Sequence, residues 1–376
     1  LILGIEKEEK KYWIIFPIFF VFGFLSKQVP AAYIGLSAIF VLLIYSILKK
    51  KFFWVKYSFL SFSITIILLV FFLKIQSISI NSFLEQYVYY PQTIASNRFN
   101  NLNLTFNGVI GQFKFIYIAL APLFFVNLKK IFKEKNYLRD NNFFHFLILF
   151  LLTFSLIAHQ ILTSNQIFIF FLIPILFAFS HMSFFIFNNN KNKLISLVLI
   201  SICLFATTKY HLRFNENRKF HELHYVNFDL SSNGKEIDKK FKGLKWITPE
   251  FKNRPNEEIN LINEIKFHLS KDKRTKMVIT NYSFFSIILN EKLFSPSRWY
   301  ISDGTDYPLK DNKHYISYKN LLVSLLKKNK IEVIYTIYPQ KSSIIYNHFD
   351  KNCFTEIKIS NMLNSYELKD CYEING

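Results

Sequence analysis

The chain carries 3 cysteines among 376 residues, and its His, Cys and Asp residues nowhere fall at a spacing that would cage a metal. No G-x-G-x-x-G or G-K-[ST] stretch occurs, which removes the backbone cradles that hold nucleotide phosphates. There is no internal repeat, and ionisable residues avoid the middle of the apolar runs, which argues against a transporter. No signal peptide precedes the first run. Acidic residues number 26 against 46 basic ones, for a net charge of +20. Yet no basic stripe interleaves with aromatics in a folded module, so nucleic acid is set aside as a partner. Lys, Asn, Ile and Phe are all abundant, in the manner of a low-GC coding bias.

What is present is apolar length. Hydrophobic residues make up 51% of the chain and aromatics 19%. Seven runs stand out, at 12–25, 29–48, 52–73, 113–128, 143–158, 167–187 and 194–208. Several are shorter than the roughly 17 residues that cross a bilayer unaided. The pattern predicts a polytopic α-helical membrane bundle of about seven spans over 1–208. A change to charged and polar composition from Lys209 predicts a small α/β domain over 209–376.

Lysine and arginine orient the spans. Lys7, Lys10 and Lys11 precede the first run; Lys49, Lys50, Lys51 and Lys56 follow the second. Lys129, Lys130, Lys133, Lys135 and Arg139 follow the fourth, and Lys191 and Lys193 the sixth. The alternate connections are poor in charge: Lys27 in one, Lys74, Arg98 and Lys114 in the long one, none in 159–166. The rich set is therefore cytoplasmic. Lys27, the 74–112 loop, the 159–166 loop and the tail face outward, in the inner (plasma) membrane of a bacterium with a periplasmic or extracellular tail.

Lys27 sits between two apolar runs with no acidic partner in either flank, and an ammonium at a bilayer boundary is costly unless it meets water, headgroups or an anion. Snorkelling to headgroups would satisfy it as well. Gln28 and Pro30 complete a compact polar tip. The neighbouring outward loop adds a second cation, Arg98. With only Glu85 as a nearby acid, the pair suits a phosphate. Glu85 lies in an expected interfacial helix, 82–90, ended by Pro91. There it either orients Arg98 or faces water. His159 and Gln160 at one outer helix end, and Asn165 and Gln166 at the start of the next, offer uncharged hydrogen bonds of the kind sugar hydroxyls require; they would equally cap two helix ends.

In the tail, 215–256 has few periodic signals and is expected to pack as loops around the membrane part. Helices are expected at 257–269, 283–289, 318–328 and 342–349, with strands at 276–280, 331–337 and 354–359. The aromatic and acidic stretch 295–308 has the composition of a carbohydrate contact or of an ordinary ordered loop. Cys353 and Cys371 are candidates for a disulfide in an oxidising compartment; two free thiols are the alternative.

At Gly23-x-Leu25-x-Lys27-x-x-Pro30 the chain resembles the GT-C superfamily of polytopic glycosyltransferases, in particular bacterial members related to protein mannosyltransferases and the aminoarabinose transferase of lipid A. In these a span ends in a Leu-x-Lys-Gly-Pro-like turn at the outer face; here Gln28 replaces the glycine and Val29 precedes the proline. Phe83 through Arg98 resembles the family's outer loop with a Glu and an Arg near the lipid donor. The run 165–179, with Pro174, resembles a late helix whose Arg-Tyr pair is here Asn165-Gln166. The resemblance implies a transferase that moves a sugar from a polyprenyl-phosphate donor to a glycan, lipid or protein acceptor. Lys27 and Arg98 would then hold the leaving phosphate. It also implies an acidic base in an outward loop upstream of residue 1, so the sequence is expected to be a fragment and no residue here takes that role. A divalent metal ion is compatible with this chemistry, but no ligand cluster is visible. The competing readings are a polysaccharide polymerase or O-antigen ligase, and a membrane anchor for the tail domain.

Overall fold

The computed structural model describes residues 1–369 apart from 101, 103, 164–168, 188–192, 217–222, 224, 298–299, 301–303, 305, 339 and 341–342, and apart from the side chains of 95, 97, 100, 185–187, 193 and 214. The chain divides into two compact units, 1–219 and 220–376.

The first unit is helical. A short α1 (Ile2–Lys7) leads into α2 (Lys10–Ser26), α3 (Gln28–Lys49) and α4 (Phe53–Ile75). Then come α5 (Ile80–Leu84), α6 (Tyr90–Asn100), α7 (Lys114–Lys133), α8 (Asn141–Thr163), α9 (Leu172–Phe187) and α10 (Lys193–His211). Among the described residues, five helices are long and apolar enough to cross a membrane: α3, α4, α7, α8 and α10. That is fewer than the seven expected. The first run forms a helix of 17 residues, and the sixth is interrupted by a 3-10 turn at Ile169–Phe171, which leaves 16 residues for α9.

Pro91 does not end the interfacial helix. The backbone passes from α5 through a π-helical turn at Glu85–Tyr89 straight into α6, with Pro91 in its first turn. A proline blocks a regular turn because its ring meets the carbonyl four residues back. The wider π turn moves that carbonyl away, and the first turn of a helix has no use for the missing N–H.

Two apolar clusters hold this unit. One gathers Ile5, Trp13, Val41, Leu42, Tyr45 and Phe144 from α1, α2, α3 and α8. The other packs α7, α8, α9 and α10 around Ile116, Leu123, Leu156, Leu172, Leu176 and Ala206. Helix α8 belongs to both. It also holds α3 through a hydroxyl pair, Ser37 Oγ to Ser155 Oγ at 2.7 Å. Where α2 and α3 cross, a Cβ on Gly35 would stand 2.2 Å from Phe20 Cε2, so a larger residue there would require the Phe20 ring to shift.

The second unit is α/β. A two-stranded ribbon, β1 (Ser232–Asn233) with β2 (Lys245–Trp246), precedes α11 (Pro255–Lys271), β3 (Lys276–Ile279), α12 (Phe285–Leu289) and α13 (Tyr315–Lys328). It continues with β4 (Val333–Ile337), α14 (Ser343–His348), β5 (Phe354–Lys358) and β6 (Leu363–Leu368). The main sheet runs β3-β4-β6-β5, with β3 and β4 parallel and the other two pairs antiparallel. Alternation along the strands sends Val278, Val333, Tyr335 and Ile337 to one face, under Ile259, Ile262 and Ile265 of α11. Met277, Ile279, Ile334 and Tyr366 go to the other, under Leu322, Leu326, Ile344 and Ile345 of α13 and α14. Helices thus cover both faces of one sheet.

The stretch 215–256, expected as loops around the membrane part, contributes to the second unit's own core. Ile237 is buried in the core of the second unit, with Phe241, Trp246 and Phe251 packed against it. Short 3-10 turns started by Asn227, Asn233 and Asp238 side chains deliver these apolar residues without long-range periodicity. Cys353 is buried at 7% exposure; its candidate partner Cys371 lies outside the described residues.

Candidate functional site

The site is built at one end of the helical unit. Lys27 is the sole residue between α2 and α3 and is extended, with φ −154° and ψ 104°. Its N–H closes α2 on Gly23 O at 2.9 Å. Pro30 stands in the first turn of α3, where no N–H is needed. The side chain of Lys27 is exposed at the tip and Gln28 is half-buried beside it.

Arg98, on α6, is exposed, and Glu85 is half-buried in the π turn that leads to α6. His159 and Gln160 lie one turn before the end of α8, which continues to Thr163. They are not exposed caps at a boundary: His159 is 3% exposed and Gln160 1%. Gln160 follows Leu149, Thr153 and Leu156 on the packed face of α8, and all of these are buried. That spacing of four, three and four residues was the sequence signal for its burial.

Helix α6 packs against α8, and Lys27, Arg98 and His159 lie near one another. The charges of Lys27 and of Arg98 both act on the His159 imidazole, so a helix hairpin tip, the following loop helix and the end of α8 share one neighbourhood. The opposite helix ends form a second one. There Lys51 pairs with Glu8 at 2.5 Å, the Tyr45 hydroxyl donates to Glu8 at 3.0 Å and Lys49 donates to Asn141 Oδ1 at 2.5 Å. Among the described residues, the connections that hold Glu8, Lys51 and Asn141 thus meet at one end and Lys27, Arg98 and His159 lie together at the other, in line with charge alternation.

Asn165 and Gln166 lie outside the described residues. In the 295–308 stretch, Arg298, Trp299, 301–303 and Thr305 do as well. Tyr300 and Tyr307 of that stretch are 5% and 6% exposed, with ring centroids 5.8 Å apart. They are core residues, and burial pushes the Tyr300 hydroxyl well above its ordinary range. Among the described residues no group of three or more His, Cys, Asp or Glu could hold a metal ion.

Two cations near a buried imidazole and amide make a surface for an anion that also carries hydrogen-bonding groups. Comparison of the chain with protein-family models, with curated proteins and with solved structures finds no match to any of them.

Proposed function

We propose that the chain is part of an integral membrane glycosyltransferase that moves a sugar from a polyprenyl-phosphate donor to a lipid, glycan or protein acceptor at the outer face of the bacterial inner membrane. The observation that carries this reading is the packing of α6 against α8, with Lys27 and Arg98 both near His159. A lipid-borne phosphate would meet two positive charges from separate connections, at the helix ends that charge alternation assigns to the outside.

The chemistry asks for this. Departure of a polyprenyl phosphate leaves negative charge on its oxygens, and fixed cations placed there lower the barrier. Lys27 acts as a point charge at a hairpin tip, while the Arg98 fork can take two oxygens at once. The apolar helix faces around the tip suit a long isoprenoid. A base must also take the acceptor's proton, and no residue of this chain is assigned that role.

The test is substitution in the full-length protein. Lys27→Ala and Arg98→Ala are each expected to abolish transfer of label from a polyprenyl-phosphate hexose in isolated membranes while insertion is unchanged. Full activity in either variant removes that residue from the mechanism.

A further inference from the structure

Polar side chains inside the helical unit mostly find a partner close by. Ser58 donates to Trp13 O at 3.0 Å, Ser61 to Ile14 O at 2.6 Å, Thr153 to Leu149 O at 2.7 Å and Ser180 to Ala119 O at 3.0 Å. Isolated exceptions are single ring nitrogens, Trp13 Nε1 and His145 Nε2. At His159 and Gln160 the situation differs. Both imidazole nitrogens and both amide atoms of these adjacent residues are buried with no hydrogen-bond partner among the described residues.

We propose that His159 and Gln160 bind the uncharged, hydroxyl-bearing head of the ligand whose phosphate Lys27 and Arg98 hold, and so select a glycosylated lipid phosphate over a bare one. This deepens the glycosyltransferase reading and rests on it. Donors and acceptors decide which ligand fits the pair. The Gln160 amide offers two N–H donors and an acceptor oxygen, and a neutral imidazole offers one donor and one acceptor in either tautomer. A fully ionised phosphate only accepts. It would satisfy the N–H groups and leave Gln160 Oε1 and one His159 nitrogen without a donor. Hydroxyls both donate and accept, so two or three of them satisfy every atom of the pair.

Two stability signs separate a ligand site from a structural one. A buried polar group with a structural partner destabilises the fold when it is removed, whereas an unpartnered one makes the fold less stable by being there. The experiment is thermal unfolding of the purified full-length protein in detergent, alone, with decaprenyl phosphate and with the same lipid carrying a hexose. Wild type is expected to gain from the bare lipid and to gain further from the glycosylated one.

Gln160→Leu is expected to raise the ligand-free midpoint by roughly 2–4 °C, to keep the shift with the bare lipid and to lose the extra shift with the sugar. His159→Leu is expected to do the same. A lower ligand-free midpoint in Gln160→Leu, or failure of both it and Gln160→Met to fold, assigns the amide a structural role and overturns the proposal. If the bare lipid shifts wild type and the sugar adds nothing, this proposal falls and the cation reading stands. If neither lipid shifts wild type, both fall.

Discussion

Glu258 offers a stringent check on the second unit. It stands in the first turn of α11 and is 0% exposed. One carboxylate oxygen accepts from Trp246 Nε1 at 3.0 Å and Thr248 Oγ1 at 2.9 Å; the other accepts from the Tyr282 hydroxyl at 2.7 Å. Burial raises its pKa despite these three donors. In Glu258→Gln the single amide oxygen can keep Trp246 and Thr248, and the amide nitrogen can donate to the Tyr282 oxygen. One bond reverses sense and no buried charge remains, so the change is expected to stay within about 1 kcal/mol at neutral pH. Glu258→Leu strands all three donors, at about 1 kcal/mol each, or about 3 kcal/mol together. Hydrogen exchange over α11 in the intact chain, corrected for intrinsic rates, reads both. The Leu variant should exchange about 100-fold faster, and the Gln variant near the wild-type rate. The sign with pH is fixed as well. A raised folded pKa makes the group's contribution fullest below the unfolded value, about 4.3, and diminishes it as pH rises through the folded value. Glutamine does not titrate, so Glu258→Gln should gain on wild type between acid and neutral pH. A Gln variant as damaged as the Leu variant, or one that loses ground as pH rises, would refute this account of the site.

The acid limit of the same unit should be set in part by Asp272. Burial pushes its carboxyl up, but hydrogen bonds from Arg274 and Tyr335 together with the Arg274 charge outweigh that and hold it at about 2. With a side chain only 11% exposed, the depression corresponds to about 2 kcal/mol that is present above pH ~4 and lost as pH falls toward ~2. Asp272→Asn is expected to remove that stability at neutral pH and to flatten the acid limb of a circular-dichroism titration; an unchanged limb would show that Asp272 contributes nothing there. Orientation is tested by single-cysteine variants in intact cells: Ser26→Cys should react with a membrane-impermeant maleimide from outside and Asn136→Cys only after lysis. Labelling of both from the same side would contradict the division of the helix ends.

The apolar runs were legible because seven stretches of near-continuous hydrophobicity leave few alternatives, and three of the four main strands were legible from their β-branched cores. Strand β6 was not. Its sequence, Leu-Asn-Ser-Tyr-Glu-Leu, reads as polar, yet it pairs on both sides, with β4 and β5, and its Ser365 is 3% exposed. Pairing on two sides satisfies the backbone whatever the side chains are, so an interior strand of mixed polarity leaves no periodic trace. Pro91 misled for a related reason. The rule that proline stops a helix presumes a regular preceding turn, and the π turn at Glu85–Tyr89 removes the presumption. The two cations were visible as charges out of place. The burial of His159 and Gln160 was not read, because their position beside a connection suggested solvent while the spacing along α8 pointed inward.

Charge alternation assigns groups to ends; it does not say which ends touch. Helix α8 supplies the missing step. Asn141 at its start accepts from Lys49 at 2.5 Å, and His159 near its finish feels Lys27 and Arg98. The 18 residues from Asn141 to His159 rise about 27 Å at 1.5 Å each, against a hydrocarbon core of about 30 Å. With the Lys49 end at one boundary, the imidazole and the Gln160 amide fall near the opposite one, where both are buried in protein and their polar atoms find no partner among the described residues. A helix needing only to span could place leucines there. Two hydrogen-bonding residues, within reach of the only cations that the hairpin tip and α6 contribute, are accounted for if something polar enters from the outer surface and remains attached to the lipid.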